Sequence, residues 1–87
     1  MRERDIERAL VQTVKRAGGE VRKVQWPGRV GAPDRLVMLP GVLVWVELKA
    51  PGRKPTVHQL REHARMRAMG QTVLVIDSIG AIEEVLS

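Results

Sequence analysis

Two acidic residues and one lysine interrupt a mostly apolar stretch, "GAPDRLVMLPGVLVWVELKA", that runs from Gly31 to Ala50. Asp34 opens its first apolar run, and Glu47 and Lys49 sit inside the second. An unpaired buried charge is very costly, so each needs a partner. Side chains along a strand alternate between faces. Val42, Val44, Val46, Leu48 and Ala50 therefore share one wholly apolar face, predicted to be core. Leu43, Trp45, Glu47 and Lys49 share the other. Counting outward from a turn at Pro40-Gly41 sets Asp34 opposite about Glu47. Two adjacent carboxylates repel, and one of them must take a raised pKa. A hard divalent cation with a preference for oxygen, such as Mg²⁺, relieves that repulsion. Lys49 adds a positive charge one strand repeat, roughly 7 Å, further along the same face. A cation beside an ammonium stabilises a pentavalent phosphate and orients or deprotonates water. A surface ion pair between Glu47 and Lys49, with Asp34 as a turn residue, fits the spacing equally well.

These residues need elements to hold them. Ile6, Leu10, Val14 and Ala17 recur at helical spacing, which predicts a helix over 3–17 stopped by Gly18-Gly19. Residues 21–26 read as a strand and 27–33 as a Gly- and Pro-rich loop. Residues 34–39 and 42–50 read as a hairpin. A basic loop, "PGRKP", follows, and then a helix from Thr56 to about Met69 with Val57, Leu60, Ala64 and Ala68 as its apolar stripe. "TVLVI" (72–76) is a strand covered on both faces, and 79–86 is a short last helix. The order α-β-β-β-α-β gives an α/β fold, a mixed sheet flanked by helices in one domain spanning 1–87. The second helix is a crossover that lets the third and fourth strands run parallel.

Composition narrows the partners. Fifteen Lys and Arg against ten Asp and Glu leave a net charge of +5 on 87 residues. Such a basic domain suits a polyanion, with nucleic acid the first candidate, although charge alone also fits a merely cationic soluble protein. The absence of cysteine removes disulfides and Cys-based zinc sites, and it suits a reducing cytoplasm. No apolar run approaches a bilayer span, and no signal-peptide pattern opens the chain. Trp26 and Trp45 are the only aromatic residues, too few for a base-stacking platform. Nucleic acid would be held chiefly by its phosphates.

Pro33-Asp34 followed by Glu47-Leu48-Lys49 resembles the PD-(D/E)xK nuclease signature, and the element order resembles that superfamily's restriction-endonuclease-like core. "GAPDR", "VELKAPG", "PTVHQL" and the following strand resemble the virus-type replication-repair nuclease (VRR-NUC) family, which is close to the archaeal-type Holliday junction resolvases. The resemblance covers nearly the whole chain. It implies that Asp34, Glu47 and the backbone carbonyl of Leu48 bind Mg²⁺, with Mn²⁺ able to substitute. It further implies that Lys49 positions or activates the attacking water and that Gln59 helps fix Lys49 or the scissile phosphate. The family's first helix contributes an acidic residue. "ERDIE" matches Glu3 to it and leaves Glu7 where relatives often carry Gln, so either one remains a candidate.

The supporting residues have competing readings. Thr56 and Gln59 also form a capping box. His58 and His63, five apart, do not suit one helix face and read as surface residues. Arg29, Arg35, Arg53, Lys54, Arg61 and Arg65 are the candidate DNA contacts. Trp45 is expected to pack under the first helix, and Trp26 either packs in its loop or faces DNA. The expected function is a Mg²⁺-dependent, structure-selective DNA endonuclease giving 5′-phosphate ends. The expected form is a homodimeric four-way junction resolvase, because a chain this small has no room for a separate recognition domain. The alternatives are a nonspecific or flap-type nuclease, a non-catalytic DNA-binding subunit, or RNA as the substrate. Small stand-alone size within the family suggests a virus or mobile element, with the host cytoplasm as the location.

Overall fold

A computed structural model describes residues 1–87. Its elements are α1 (Glu3–Arg16), β1 (Glu20–Lys23), β2 (Arg35–Leu39), β3 (Val42–Leu48), α2 (Val57–Ala68), β4 (Val73–Ile76) and a terminal 3₁₀ helix (Gly80–Leu86). Every predicted element is present, and the last helix is of the 3₁₀ kind. The sheet runs β1-β2-β3-β4. The first three strands are antiparallel, and β4 lies parallel to β3 after the α2 crossover.

α1 forms because Ile6, Leu10 and Val14 fall on one stripe, and all three have no exposed surface. The helix ends where Gly18 takes φ 84°, a conformation that disfavours other residues. The α1 stripe packs on Val37, Val44, Val46, Leu48 and Ile76, with Ile82 and Val85 of the 3₁₀ helix closing the same cluster. Each such aliphatic side chain stabilises the fold by roughly 1.5–3 kcal/mol when buried. Val42 departs from the predicted core face. It lies beside the Pro40-Gly41 turn and is 52% exposed.

The opposite face of the sheet carries Trp45 and Glu47, and α2 covers it. This overturns two expectations. Trp45 does not pack under α1. It stands edge-on to Trp26 with ring centroids 5.8 Å apart, and its Nε1 donates to Gln71 Oε1 at 2.9 Å. Nor does α2 bury its aliphatic stripe. Val57 and Leu60 are 61% and 51% exposed, and Ala64 and Ala68 are exposed too, whereas Glu62, His63 and Met66 are buried. The helix rests on a polar part of the sheet and turns its polar side inward to meet it. β4 is covered on both faces as expected. Leu74 and Ile76 pack in the α1 cluster, and Val73, level with Trp45 on the α2 side, is buried.

Candidate active site

The hairpin register decides the site. Arg35 pairs with Val46 and Leu36 with Trp45, so the next antiparallel step outward sets Asp34 beside Glu47. Asp34 is tied down on both sides. Its carbonyl accepts the Val24 amide at 2.9 Å, and its Oδ2 accepts the Leu48 amide at 2.9 Å. A strand residue points its N–H and C=O toward the same neighbour. The Leu48 carbonyl therefore faces the side where Asp34 lies.

Glu47 has no exposed surface. Its Oε2 accepts a hydrogen bond from Gln59 Nε2 at 3.2 Å and lies 3.9 Å from Lys49 Nζ. Its Oε1 is 3.3 Å from His63 Nε2. Burial, and next the neighbouring Asp34 carboxyl, push the Glu47 pKa from 4.5 up to about 8, with the Lys49 ammonium opposing. Burial holds the His63 imidazole below its ordinary value, and the nearby Arg67 cation acts the same way.

Gln59 realises both readings of its position at once. Its Oε1 accepts the Thr56 amide at 2.9 Å and its own amide donates to Thr56 Oγ1 at 3.2 Å, which completes the capping box. Its Nε2 remains free to hold Glu47. The structure thus directs Gln59 to Glu47, where the resemblance points to Lys49 or the phosphate.

A cleft of about 560 Å³ opens beside this group at Lys49, lined by Glu3, Lys49, Ala50, Gly52, Arg53, Lys54 and Thr56. Glu3 therefore reaches the cleft, and its charge adds to the upward push on Glu47. Glu7 is turned away into an ion pair with Arg35. The same pair leaves the Arg35 side chain only 15% exposed, and this burial sets it apart from the other candidate DNA contacts. Arg53 and Lys54 border the cleft, and Arg61 is exposed on α2. Arg29 and Arg65 converge on the buried Glu62, at 3.0 and 2.8 Å, with about half of each side chain exposed.

Two residues of this neighbourhood have no functional place in the sequence reading. His63, expected on the surface, is buried against Glu47. Its signal was the four-residue spacing from Gln59, which sets both on one helix face; the five-residue spacing from His58 hides it. Glu62 gives no comparable signal.

The donor set fits a hard divalent cation. Asp34, Glu47 and the Leu48 carbonyl supply only oxygen, and Glu47 must take up a proton when nothing else neutralises the carboxylate pair. No three His, Asp or Glu residues stand close enough to form a complete cage.

No family model matches the sequence. The chain is 56% identical over 79 residues to "Putative nuclease p44" of Acyrthosiphon pisum secondary endosymbiont phage 1, covering 90% of this chain and 85% of that protein. It also superposes on a solved VRR_NUC domain with a TM-score of 0.88 and 41% identity, over 97% of this chain and 92% of that one. The chain belongs to the VRR-NUC family. In this VRR-NUC domain the mixed four-stranded sheet and its flanking helices are those of the family's nuclease fold. No helix of it is long and apolar enough to cross a membrane.

Proposed function

We propose that this VRR-NUC domain is a Mg²⁺-dependent DNA endonuclease that cuts branched DNA, chiefly four-way junctions, as a homodimer. The observation that carries the reading is the Asp34–Glu47–Lys49 group, whose Lys49 lines a cleft together with Glu3, Arg53 and Lys54. Asp34, Glu47 and the Leu48 carbonyl would hold Mg²⁺ or Mn²⁺, with Glu3 close by. A bound divalent cation supplies a more acidic water and neutralises charge on the phosphate.

The chain's own residues do the rest. Glu47 presents a carboxylate whose two oxygens are already held by Gln59 and His63. Lys49, half-buried and facing the cleft, orients the attacking water and stabilises charge on the pentavalent phosphorus. Arg53 and Lys54 bind the phosphates beside the scissile one, and Arg29 of the loop before β2 and Arg65 of α2, both held on Glu62, extend that grip. Water attacks phosphorus in line with the departing 3′ oxygen. The P–O3′ bond breaks, the 3′ oxygen takes a proton, and the products carry 5′-phosphate and 3′-hydroxyl ends.

The homodimer is supported by the outward stripe of α2. Val57, Leu60, Ala64 and Ala68, with Met69 beyond the helix end, leave aliphatic surface uncovered on a small domain. Two copies related by a two-fold axis would present two sites to a two-fold junction.

The test is cleavage of labelled linear, flap and four-way DNA with Mg²⁺ and with Mn²⁺, for the wild type and Lys49→Ala. The expected result is preferential junction cutting and a loss of about 10²–10³-fold or more in the variant, with DNA binding kept. A Lys49→Ala protein cutting at the wild-type rate would refute the mechanism. Linear duplex cut as fast as junctions would replace the resolvase with a nonspecific nuclease.

A further inference from the structure

His63 is a fully enclosed side chain with one satisfied end and one unsatisfied end. Its Nε2 lies 3.3 Å from Glu47 Oε1, whereas its Nδ1 is buried with no hydrogen-bond partner. A buried polar atom left unpaired costs about 1–3 kcal/mol. A leucine or methionine would fill the same space without that loss. A half-satisfied imidazole at this position is therefore accounted for by what its other nitrogen does.

Once Glu47 is ionised, that nitrogen meets a carboxylate oxygen, and the proton then belongs on Nε2 and is donated to Glu47 Oε1. Gln59 Nε2 donates to the other oxygen at 3.2 Å. The two donors are four residues apart on α2, one turn along the same face. Between them they engage both oxygens of one carboxylate, and a carboxylate gripped at both ends no longer turns freely about its last bond. Two neutral donors also favour the ionised form, the one that binds a cation.

We propose that His63 is a positioning residue which, with Gln59, fixes the orientation of the Glu47 carboxylate against Asp34 before any cation arrives. This rests on the reading of Asp34 and Glu47 as metal ligands. Outer partners of metal-binding carboxylates act by this kind of orientation, and their loss weakens metal affinity without removing a ligand.

The test compares Mn²⁺ and Mg²⁺ binding, by calorimetry on the free protein, among wild type, His63→Leu and His63→Gln. Leucine keeps the apolar bulk and removes the donor. Glutamine places its side-chain nitrogen near the position of the imidazole Nε2. Melting curves followed by circular dichroism report the stability of each. The leucine variant should lose about 10–100-fold in metal affinity, and the glutamine variant should recover most of it. Wild-type affinity in the leucine variant would overturn the proposal. Equal weakness in both variants would overturn it too, because shape rather than the donor would then matter. Nitrogen NMR of the wild-type imidazole above pH about 8, where Glu47 is ionised, decides independently of how either variant folds: an Nε2–H tautomer is required, and an Nδ1–H tautomer refutes it. A wild type that binds neither cation would remove the metal reading itself, and the positioning role with it.

Discussion

Replacing Glu47 with glutamine should make the metal-free protein more stable, by an amount that grows with pH. Glu47 is fully buried beside Asp34, and those two facts raise its pKa from 4.5 to about 8. In the unfolded chain it titrates at its ordinary value. Between those limits the folded protein binds a proton that the unfolded chain does not. Stability from this group is therefore full below about pH 4.5 and is lost as pH climbs toward about 8. At about 1.4 kcal/mol per pH unit, that span is worth at most about 5 kcal/mol. Sharing of the proton with Asp34 and relaxation of the surroundings reduce it to on the order of 2–3 kcal/mol. Glutamine keeps the shape and has no proton to lose, but its amide matches the donors of Gln59 and His63 less well, at a cost of about 1 kcal/mol. The net expectation is a variant about equal to wild type near pH 5 and more stable by about 1–2 kcal/mol near pH 8.5. Urea unfolding in chelator, followed by circular dichroism at both pH values, measures this. Other titrating groups are common to both proteins, so the change in their difference isolates position 47. Adding Mg²⁺ near pH 8.5 should then stabilise the wild type and leave the variant unmoved. A difference between the two proteins that stays constant with pH would refute the reasoning, because Glu47 would then be neither desolvated nor crowded by Asp34.

Three further outcomes can be checked directly. Arg53→Ala and Lys54→Ala should each lower the slope of log affinity against log salt by about 0.9 on duplex DNA, and a variant that keeps the wild-type slope does not touch a phosphate at that position. Val57→Glu with Leu60→Glu, both on the exposed side of α2, should change stability by less than about 0.5 kcal/mol and turn the proposed dimer into a monomer in sedimentation; an unchanged coefficient removes the dimer from this face, and a wild type that sediments as a monomer removes it altogether. Gly31→Ala should lose about 1–3 kcal/mol in thermal melting, because φ is +96° there and a Cβ would stand 2.7 Å from the His58 carbonyl oxygen. An unaltered melting temperature would show that the loop before Asp34 is not held against α2.

The hairpin and its charges were legible because their geometry is local. Pro40-Gly41 sets the turn, the turn sets the register, and alternation then puts Asp34 beside Glu47 with no knowledge of the rest of the chain. The inward face of α2 was not legible. Helical periodicity identifies the buried side by its apolarity, and that assumption fails where a helix covers a polar part of a sheet. Val57 and Leu60 read as core for this reason and are exposed. His63 was hidden by the same failure, since its relation to Gln59 acquires meaning only once Glu47 is known to lie beneath. Glu3 and Glu7 were undecided because they stand one turn apart. The choice depends on Arg35 of β2, which draws Glu7 into a pair across 28 residues of sequence.

The two anomalies of this domain, buried carboxyl and amide groups on one side of α2 and exposed aliphatics on the other, have a single cause. Gln59 joins the start of the helix to the site through one side chain: its oxygen caps Thr56 and its nitrogen holds Glu47. A change in Glu47 is thereby felt at the helix terminus, and a change at the terminus is felt at Glu47. The basic loop between Lys49 and Thr56 is consequently anchored at both ends, by the Lys49 amide on the Ile76 carbonyl at 3.0 Å and by the capping box. Its middle turns at Gly52, with φ 82°, and the Arg53 amide closes on the Ala50 carbonyl at 3.0 Å. Arg53 and Lys54 are thus presented from a braced loop rather than a free one, at a fixed place relative to Asp34 and Glu47. Turning the polar side of α2 inward makes that brace possible, and the same rotation forces Val57 and Leu60 outward. The aliphatic surface left exposed on α2 is therefore a geometric consequence of how the site is held.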